Sequence, residues 1–215
     1  MMSNLVFINV VLLLTAYLLG SIPTGFLAGS WLQKIDIREY GSGSTGATNV
    51  LRVLGTKAAV AVLLVDLLKG ALAVGIVKIS VAQVPALSLS ENATAWLIIF
   101  AALAAVFGHS KSVWLNFTGG KSVATSLGTL LMMTPGVALA GVAAFGVTLA
   151  ASRMVSLSSL VSAIAINILM ISFGEPLPYM IFAVCAALYV FWRHRGNVER
   201  ILAGTEPKIG QKVSH

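Results

Sequence analysis

The stretch KAAVAVLLVDLLKGALAVGIV, Lys57 to Val77, is apolar almost throughout, yet it keeps Asp66 and Lys69 in its middle. A helix crosses a bilayer with roughly 17–25 mostly apolar residues, and this run has that length. Apolar side chains all round suit a helix surrounded by lipid, not one that needs a wet face. The remainder agrees: of 215 residues, 58% are hydrophobic and 10% charged, with a mean hydropathy of +0.94. Soluble domains carry about a quarter charged residues. The sequence therefore predicts an all-α, polytopic integral membrane protein.

Working outward from this run, the sequence predicts seven spans, at 5–26, 57–77, 93–109, 120–134, 135–152, 157–173 and 177–192. A tight turn at Pro135-Gly136 in MTPGV separates the fourth from the fifth. The fourth and sixth are short, so six spans is the fallback. The N-terminal run resembles a signal peptide, but its first basic residue is Lys34; without a positive n-region it is expected to stay as a span. Cys185, the lone cysteine, sits in an apolar run and is expected to be a small buried hydrophobe.

Loop charge orients the chain. On one side lie Lys34, Arg38, Arg52, Lys57, Lys111, Lys121, Arg153, Arg193, Arg195, Arg200, Lys208 and Lys212, and on the other only Lys78. The N-terminus is expected outside and the tail in the cytoplasm. Lys69 lies inside a span, three residues from Asp66. Charges within a bilayer are costly and mark either a function or a partner, and the spacing fits a mutual ion pair or a place in a site.

Nearly all the reactive side chains fall on the expected cytoplasmic side. EYGSGSTGATNVLRVLGTK (39–57) and GHSKSVWLNFTGGKSVATSLG (108–128) each run from glycines into a helix. Gly41 to Gly46 spell G-x-G-x-x-G, but without the strand and βαβ unit that a dinucleotide fold requires. Gly120-Lys121-Ser122 looks like the end of a nucleotide-binding phosphate loop, but position 115 is Leu where that motif needs Gly. The physics behind both motifs remains: successive backbone N–H groups make an anion nest, a helix N-terminus favours negative charge, and Arg52 and Lys121 add fixed positive charge. Contact with lipid headgroups is the alternative for the basic residues. Metal-ligand spacing is absent and no Ser-centred triad accompanies the hydroxyls. His194 and Asn197 share a helical face; His194 with Glu199 spells H-x4-E, a decoy for the H-x4-D of soluble-type glycerolipid acyltransferases, where Asp is the usual partner.

GSIPTG (20–25), GSGSTGATNVLRVLG (41–55), DLLKG (66–70), GHSKSVWLNFTGGKSVAT (108–125) and RHRGNVERILAGTE (193–206) together strongly resemble the bacterial acyl-phosphate:glycerol-3-phosphate acyltransferase family. The resemblance covers about Leu19 to Glu206. It implies a single transmembrane acyltransferase domain over residues 1–215, in the bacterial inner membrane, which moves a fatty acyl group from acyl phosphate to the 1-hydroxyl of glycerol 3-phosphate. It implies no metal, no organic cofactor and no nucleic acid; oligomeric state stays open. Its motifs carry roles onto Ser42 and Arg52, onto Gly119, Gly120 and Lys121, and onto His194 and Asn197, with Glu206 structural. Gly41, Gly43, Gly46, Asn49 and His109 complete the expected substrate-binding set. The family often has Asn where this chain has Ser44, and Gly where it has Ser122. Two rival classes are a small anion transporter, which would need inverted repeats or polar groups on both faces, and a lipid-binding scaffold, which would not need paired glycine loops.

Overall fold

The computed structural model describes residues 2–84, 87 and 89–211, with the side chains of 2–4 excepted; of the charges counted above, Lys212 lies outside it. Among the described residues there is no strand. Ten helices follow one another: α1 (Met2–Ser21), α2 (Thr24–Gln33), α3 (Ala47–Leu54), α4 (Thr56–Gln83), α5 (Glu91–Ser110), α6 (Val123–Met133), α7 (Pro135–Ser152), α8 (Val155–Ser172), α9 (Leu177–Arg193) and α10 (Arg195–Leu202). The chain forms two compact units, Met1–Met133 and Thr134–His215.

Five helical stretches are long and apolar enough to cross a membrane, namely Leu5–Gln33, Thr56–Gln83, Glu91–Ser110, Pro135–Ser152 and Val155–Ser172. A sixth is the pair α9 and α10, which meet at 62°. The segment expected as a fourth span contains only α6, an 11-residue helix of about 16 Å at 1.5 Å per residue. The turn expected at Pro135-Gly136 is tighter than anticipated. Thr134 alone breaks the helix, and Pro135 already starts α7, where a missing N–H costs nothing.

In the first unit α1 packs on α5 and α4 on α6, with α4 also against α1, α3 and α5. Lipid offers helices no hydrophobic drive to associate, so close contact of small residues has to supply it. A Cβ on Gly20 would strike the Ala105 backbone, and one on Gly108 the Tyr17 carbonyl; Gly70 and Gly128 make the same reciprocal contacts with Thr125 and Leu67. Beneath α3, Ile37, Val50, Ala58, Ala59 and Val62 form an apolar core. The N-terminal run breaks after Ser21, since Pro23 has no N–H to continue the helix, and the Ile22 carbonyl at the break accepts from Thr24 N–H at 3.0 Å with a second lone pair left for a side chain. Lys69 Nζ takes it at 2.9 Å. Lys78, expected in an outer loop, lies in the last turns of α4 and donates to the Met132 carbonyl at 2.8 Å.

In the second unit α8 packs between α7 and α9, and α10 lies against α8 and α9. Ser162 Oγ donates to the Gly141 carbonyl at 2.8 Å, and Asn167 Nδ2 to the Ala183 carbonyl at 3.2 Å, so each packed pair carries an interhelical hydrogen bond. The tail returns to the α7–α8 turn, where Ile209 N–H meets the Arg153 carbonyl at 2.8 Å. Cys185 corrects its expectation: it is exposed on α9. In a bilayer-crossing helix an apolar thiol loses nothing by facing outward, so an apolar run does not predict burial.

Candidate active site

The first glycine loop is built around two short-range devices. Asp36 caps a turn at Ile37–Glu39 by accepting from Arg38 N–H, and the same carboxylate takes the Arg38 guanidinium at 2.6 Å. That hydrogen bond, with the charge behind it, holds the Asp36 carboxyl below its usual range despite some desolvation. Asn49, 1% exposed, reaches back from α3. Its Oδ1 accepts from Ser42 N–H at 2.8 Å, and its Nδ2 donates to the carbonyls of Ile37 and Tyr40 at 3.2 and 3.0 Å. The loop therefore keeps its shape through one buried amide. Gly41 and Gly43 have φ of +60° and +68°, and a Cβ on Gly41 would collide with Asn49 Oδ1. Ser42 and Arg52 are exposed, Arg52 on α3, and Gly46 is the residue before that helix.

The second loop hangs from the end of α5. Ser112 Oγ donates to the Ser21 carbonyl at 2.6 Å, anchoring the loop to α1, and Ser112 N–H meets the Thr118 carbonyl at 3.3 Å to close it. Gly120 N–H returns to the His109 carbonyl at 3.2 Å. The Gly119 and Gly120 positions admit no side chain: a Cβ would meet the His109 carbonyl at one and the His109 ring at the other. Ser122, in the left-handed region at φ +62°, turns the chain into α6. Its hydroxyl donates to the Val106 carbonyl at 2.7 Å and lies 2.6 Å from Ser110 Oγ, which donates to the Gly120 carbonyl at 2.9 Å. Lys121, half-buried, is thus fixed between two braced neighbours.

Arg38 joins the two loops, its Nη1 donating to Thr118 Oγ1 at 3.3 Å. Sequence reading counted Arg38 only as a loop charge. The Asp36-x-Arg38 spacing was the available signal, because that pairing orients the guanidinium. Asp66 and Lys69, left open above, are an ion pair at 2.9 Å with side chains 2% and 3% exposed. Thr24 Oγ1 donates to Asp66 Oδ1 at 2.5 Å, and His109 Nδ1 lies 3.4 Å from the same oxygen.

The second unit holds the remaining expected residues. His194, 4% exposed, sits at the joint of α9 and α10, with Nδ1 2.7 Å from the Val190 carbonyl. A carbonyl only accepts, so Nδ1 carries a proton. Asn197 N–H meets the His194 carbonyl at 2.8 Å, and Asn197 Nδ2 donates to Glu206 Oε1 at 2.7 Å. Burial alone would raise the Glu206 pKa, but donors from Ser156, Asn197 and Arg200 hold it below the usual value. Glu199 is exposed on α10 while His194 is buried, so H-x4-E builds no dyad. Each unit therefore gathers its own share of the expected residues, the phosphate-suited loops in the first and the His194–Asn197–Glu206 group in the second.

The family model for glycerol-3-phosphate acyltransferase matches residues 10–204. A glycerol-3-phosphate acyltransferase of Rippkaea orientalis is 55% identical over 207 residues, covering 96% of this chain and 95% of its own length. One from Synechococcus elongatus is 54% identical, covering 95% and 96%. The crystal structure of PlsY (YgiH), an integral membrane glycerol 3-phosphate acyltransferase, in its glycerol 3-phosphate form, superposes with a TM-score of 0.83 at 36% identity, covering 94% of this chain and 96% of its own. Its lysophosphatidic acid form superposes with a TM-score of 0.80.

Proposed function

This chain belongs to the glycerol-3-phosphate acyltransferase family, and from that membership we propose that it moves a fatty acyl group from acyl phosphate to the 1-hydroxyl of glycerol 3-phosphate. The hydroxyl oxygen bonds to the acyl carbonyl carbon, the carbonyl–phosphate bond breaks, and lysophosphatidate and inorganic phosphate result. The observation that carries this reading is the pair of glycine–hydroxyl–basic loops tied through Arg38 and Thr118, because both proposed substrates bear phosphate. The neighbouring PlsY structures, one in a glycerol 3-phosphate form and one in a lysophosphatidic acid form, support the acceptor and the product.

Acyl phosphate is an activated mixed anhydride, so holding two anions in reacting geometry and stabilising the carbonyl oxyanion supplies the acceleration without a protein nucleophile. Arg52 is the phosphate fork and Lys121 a second phosphate contact, presented by loops whose N–H groups at Ser42, Gly43, Gly46 and Gly120 are committed to holding the loops' own shape. Ser42 hydrogen-bonds a phosphate or the carbonyl oxygen. His194 and Asn197 serve the same reaction, with His194 or the donor's own phosphate taking the hydroxyl proton. The assay supplies purified protein with acyl phosphate and labelled glycerol 3-phosphate and follows lysophosphatidate. Turnover with acyl-CoA and none with acyl phosphate would overturn the donor.

The chemistry is proposed at the cytoplasmic face of the bacterial inner membrane, with the N-terminus outside and seven crossings, α6 being the short one. Twelve basic residues against one in the loops support this, and the basic residue on the sparse side, Lys78, belongs to α4 itself. The family match includes residues of both units, which supports one acyltransferase domain over the whole chain. A cysteine placed in the tail and labelled from outside intact cells would overturn the orientation.

A further inference from the structure

We propose that Asp66 is a positioning residue for acyl transfer: from the middle of α4 it fixes the His109 ring, and the ring fixes Gly120 and with it the Gly119–Lys121 segment. The inference rests on the reading of that segment as a phosphate site.

Three contacts in series carry it. Lys69 Nζ at 2.9 Å and Thr24 Oγ1 at 2.5 Å hold the Asp66 carboxylate, and Lys69 is itself held by the Ile22 carbonyl at the break between α1 and α2. The carboxylate then faces His109 Nδ1 across 3.4 Å, within reach of charge attraction but without the alignment of a hydrogen bond. On the far side of the ring, Nε2 is the atom that a Gly120 Cβ would strike first. His109 also holds this glycine through its carbonyl, at 3.2 Å from Gly120 N–H. The His109 side chain thus lies between a buried anion and a glycine whose lack of a side chain lets the ring approach. An ion pair serving only to neutralise charge in the membrane would need neither the histidine nor the glycine.

The family-like stretches divide by physical role along this network. GSIPTG supplies Ile22 O and Thr24, DLLKG supplies Asp66 and Lys69, and the long stretch at 108–125 supplies both His109 and Gly120. Two of these stretches hold no residue assigned to substrate; the network gives them a task.

The test compares two double variants that both lack the ion pair, Asp66→Asn with Lys69→Met and Asp66→Leu with Lys69→Met. Asn still offers an oxygen to His109 Nδ1–H; Leu offers none. With acyl phosphate and glycerol 3-phosphate, the Asn variant should retain about tenfold more kcat/KM than the Leu variant, because Leu presents no polar atom to the buried Nδ1. Equal values in the two would overturn the proposal. A wild-type protein that fails to turn over these substrates would instead overturn the proposed function. Should neither variant fold, solid-state NMR of histidine-labelled wild-type protein in bilayers decides, with His194→Gln and His215→Gln used to assign the signals. A proton on His109 Nδ1 is expected, and a bare Nδ1 would overturn the proposal.

Discussion

Arg38 and Thr118, eighty residues apart, are joined by a hydrogen bond from Nη1 to Oγ1 at 3.3 Å, and this is where the two glycine loops meet. Asp36 holds the guanidinium in place on its other edge, and the Phe26 ring lies beneath it at 5.3 Å. Arg38→Met should lower kcat/KM by about tenfold or more, the worth of a hydrogen bond to a charged group at about 1.5–3 kcal/mol. The thermal midpoint should move little, because this half-buried pair lies near the surface, where ion pairs contribute about 0–1 kcal/mol. An unchanged kcat/KM would show that the loops hold their places without this bridge.

Arg52 and Lys121 carry the proposed phosphate contacts. Arg52→Lys keeps the charge but loses the planar fork, and Lys121→Ala loses the point charge. Each should cost about 10²-fold or more in turnover, as removal of one oxyanion donor does. Near-normal turnover in either variant, at normal expression, would assign that residue to the lipid headgroups instead.

Hydropathy made most of the helices legible, because a bilayer demands long apolar runs whatever the packing. The 135–152 span coincides with α7, and the spans near 57–77 and 93–109 lie within longer helices. The shortness of α6 was not legible: Gly119, Gly120 and Lys121 are as compatible with a helix start as with the loop that Ser122 ends. Burial was equally hidden at Cys185, since lipid-facing and buried positions take the same residue types. Of the candidate site, the glycines and basic residues were visible as motifs. Thr24 and Ser110 were not, because their partners lie elsewhere in the sequence, and the Asp36-x-Arg38 spacing orients the Arg38 guanidinium without showing that it reaches Thr118.

Ser122 stands where the family often has glycine, at φ +62°, so its backbone is strained while its hydroxyl is bonded to Val106 and Ser110. Substitution separates the two effects. Ser122→Gly removes the strain with the hydroxyl; Ser122→Ala keeps the strain and loses only the hydroxyl. The left-handed region costs a side-chain-bearing residue about 1–2 kcal/mol, so Ala should unfold at a lower temperature than Gly. Thermal melts of both variants in one detergent give the order, and the reverse order would mean that the turn is not strained.

Glu206 sets a pH limit on the second unit. Its folded pKa lies below the ordinary 4.5, so its stabilisation is complete above that value and is lost as pH falls through the folded one. Thermal stability should show no Glu206-dependent change from neutral pH down to about 4.5 and should fall below it. Glu206→Gln should cost about 1–3 kcal/mol at neutral pH and flatten the acid limb. An acid limb of the same depth in the variant would place the titrating group elsewhere.

The remaining question is where the proton of the attacking hydroxyl goes. No triad accompanies Ser42, and the donor is already activated, so direct transfer without an acyl-enzyme is expected. Acyl-enzyme trapped by mass spectrometry with donor alone would refute it. Two bases then compete. His194 has its Nδ1 proton committed to the Val190 carbonyl, so any base it provides would have to be Nε2. The donor phosphate has a second ionisation near neutral pH, as phosphate esters do, and it is carried to the reacting centre by the substrate itself. His194→Gln keeps a hydrogen-bonding side chain and removes the base. General acid–base catalysis contributes about 10²–10⁴-fold. We therefore expect the variant to lose less than about 10²-fold in kcat, with glycerol 3-phosphate binding retained, which assigns the proton to the donor phosphate. Loss of essentially all turnover at unchanged binding would assign it to His194.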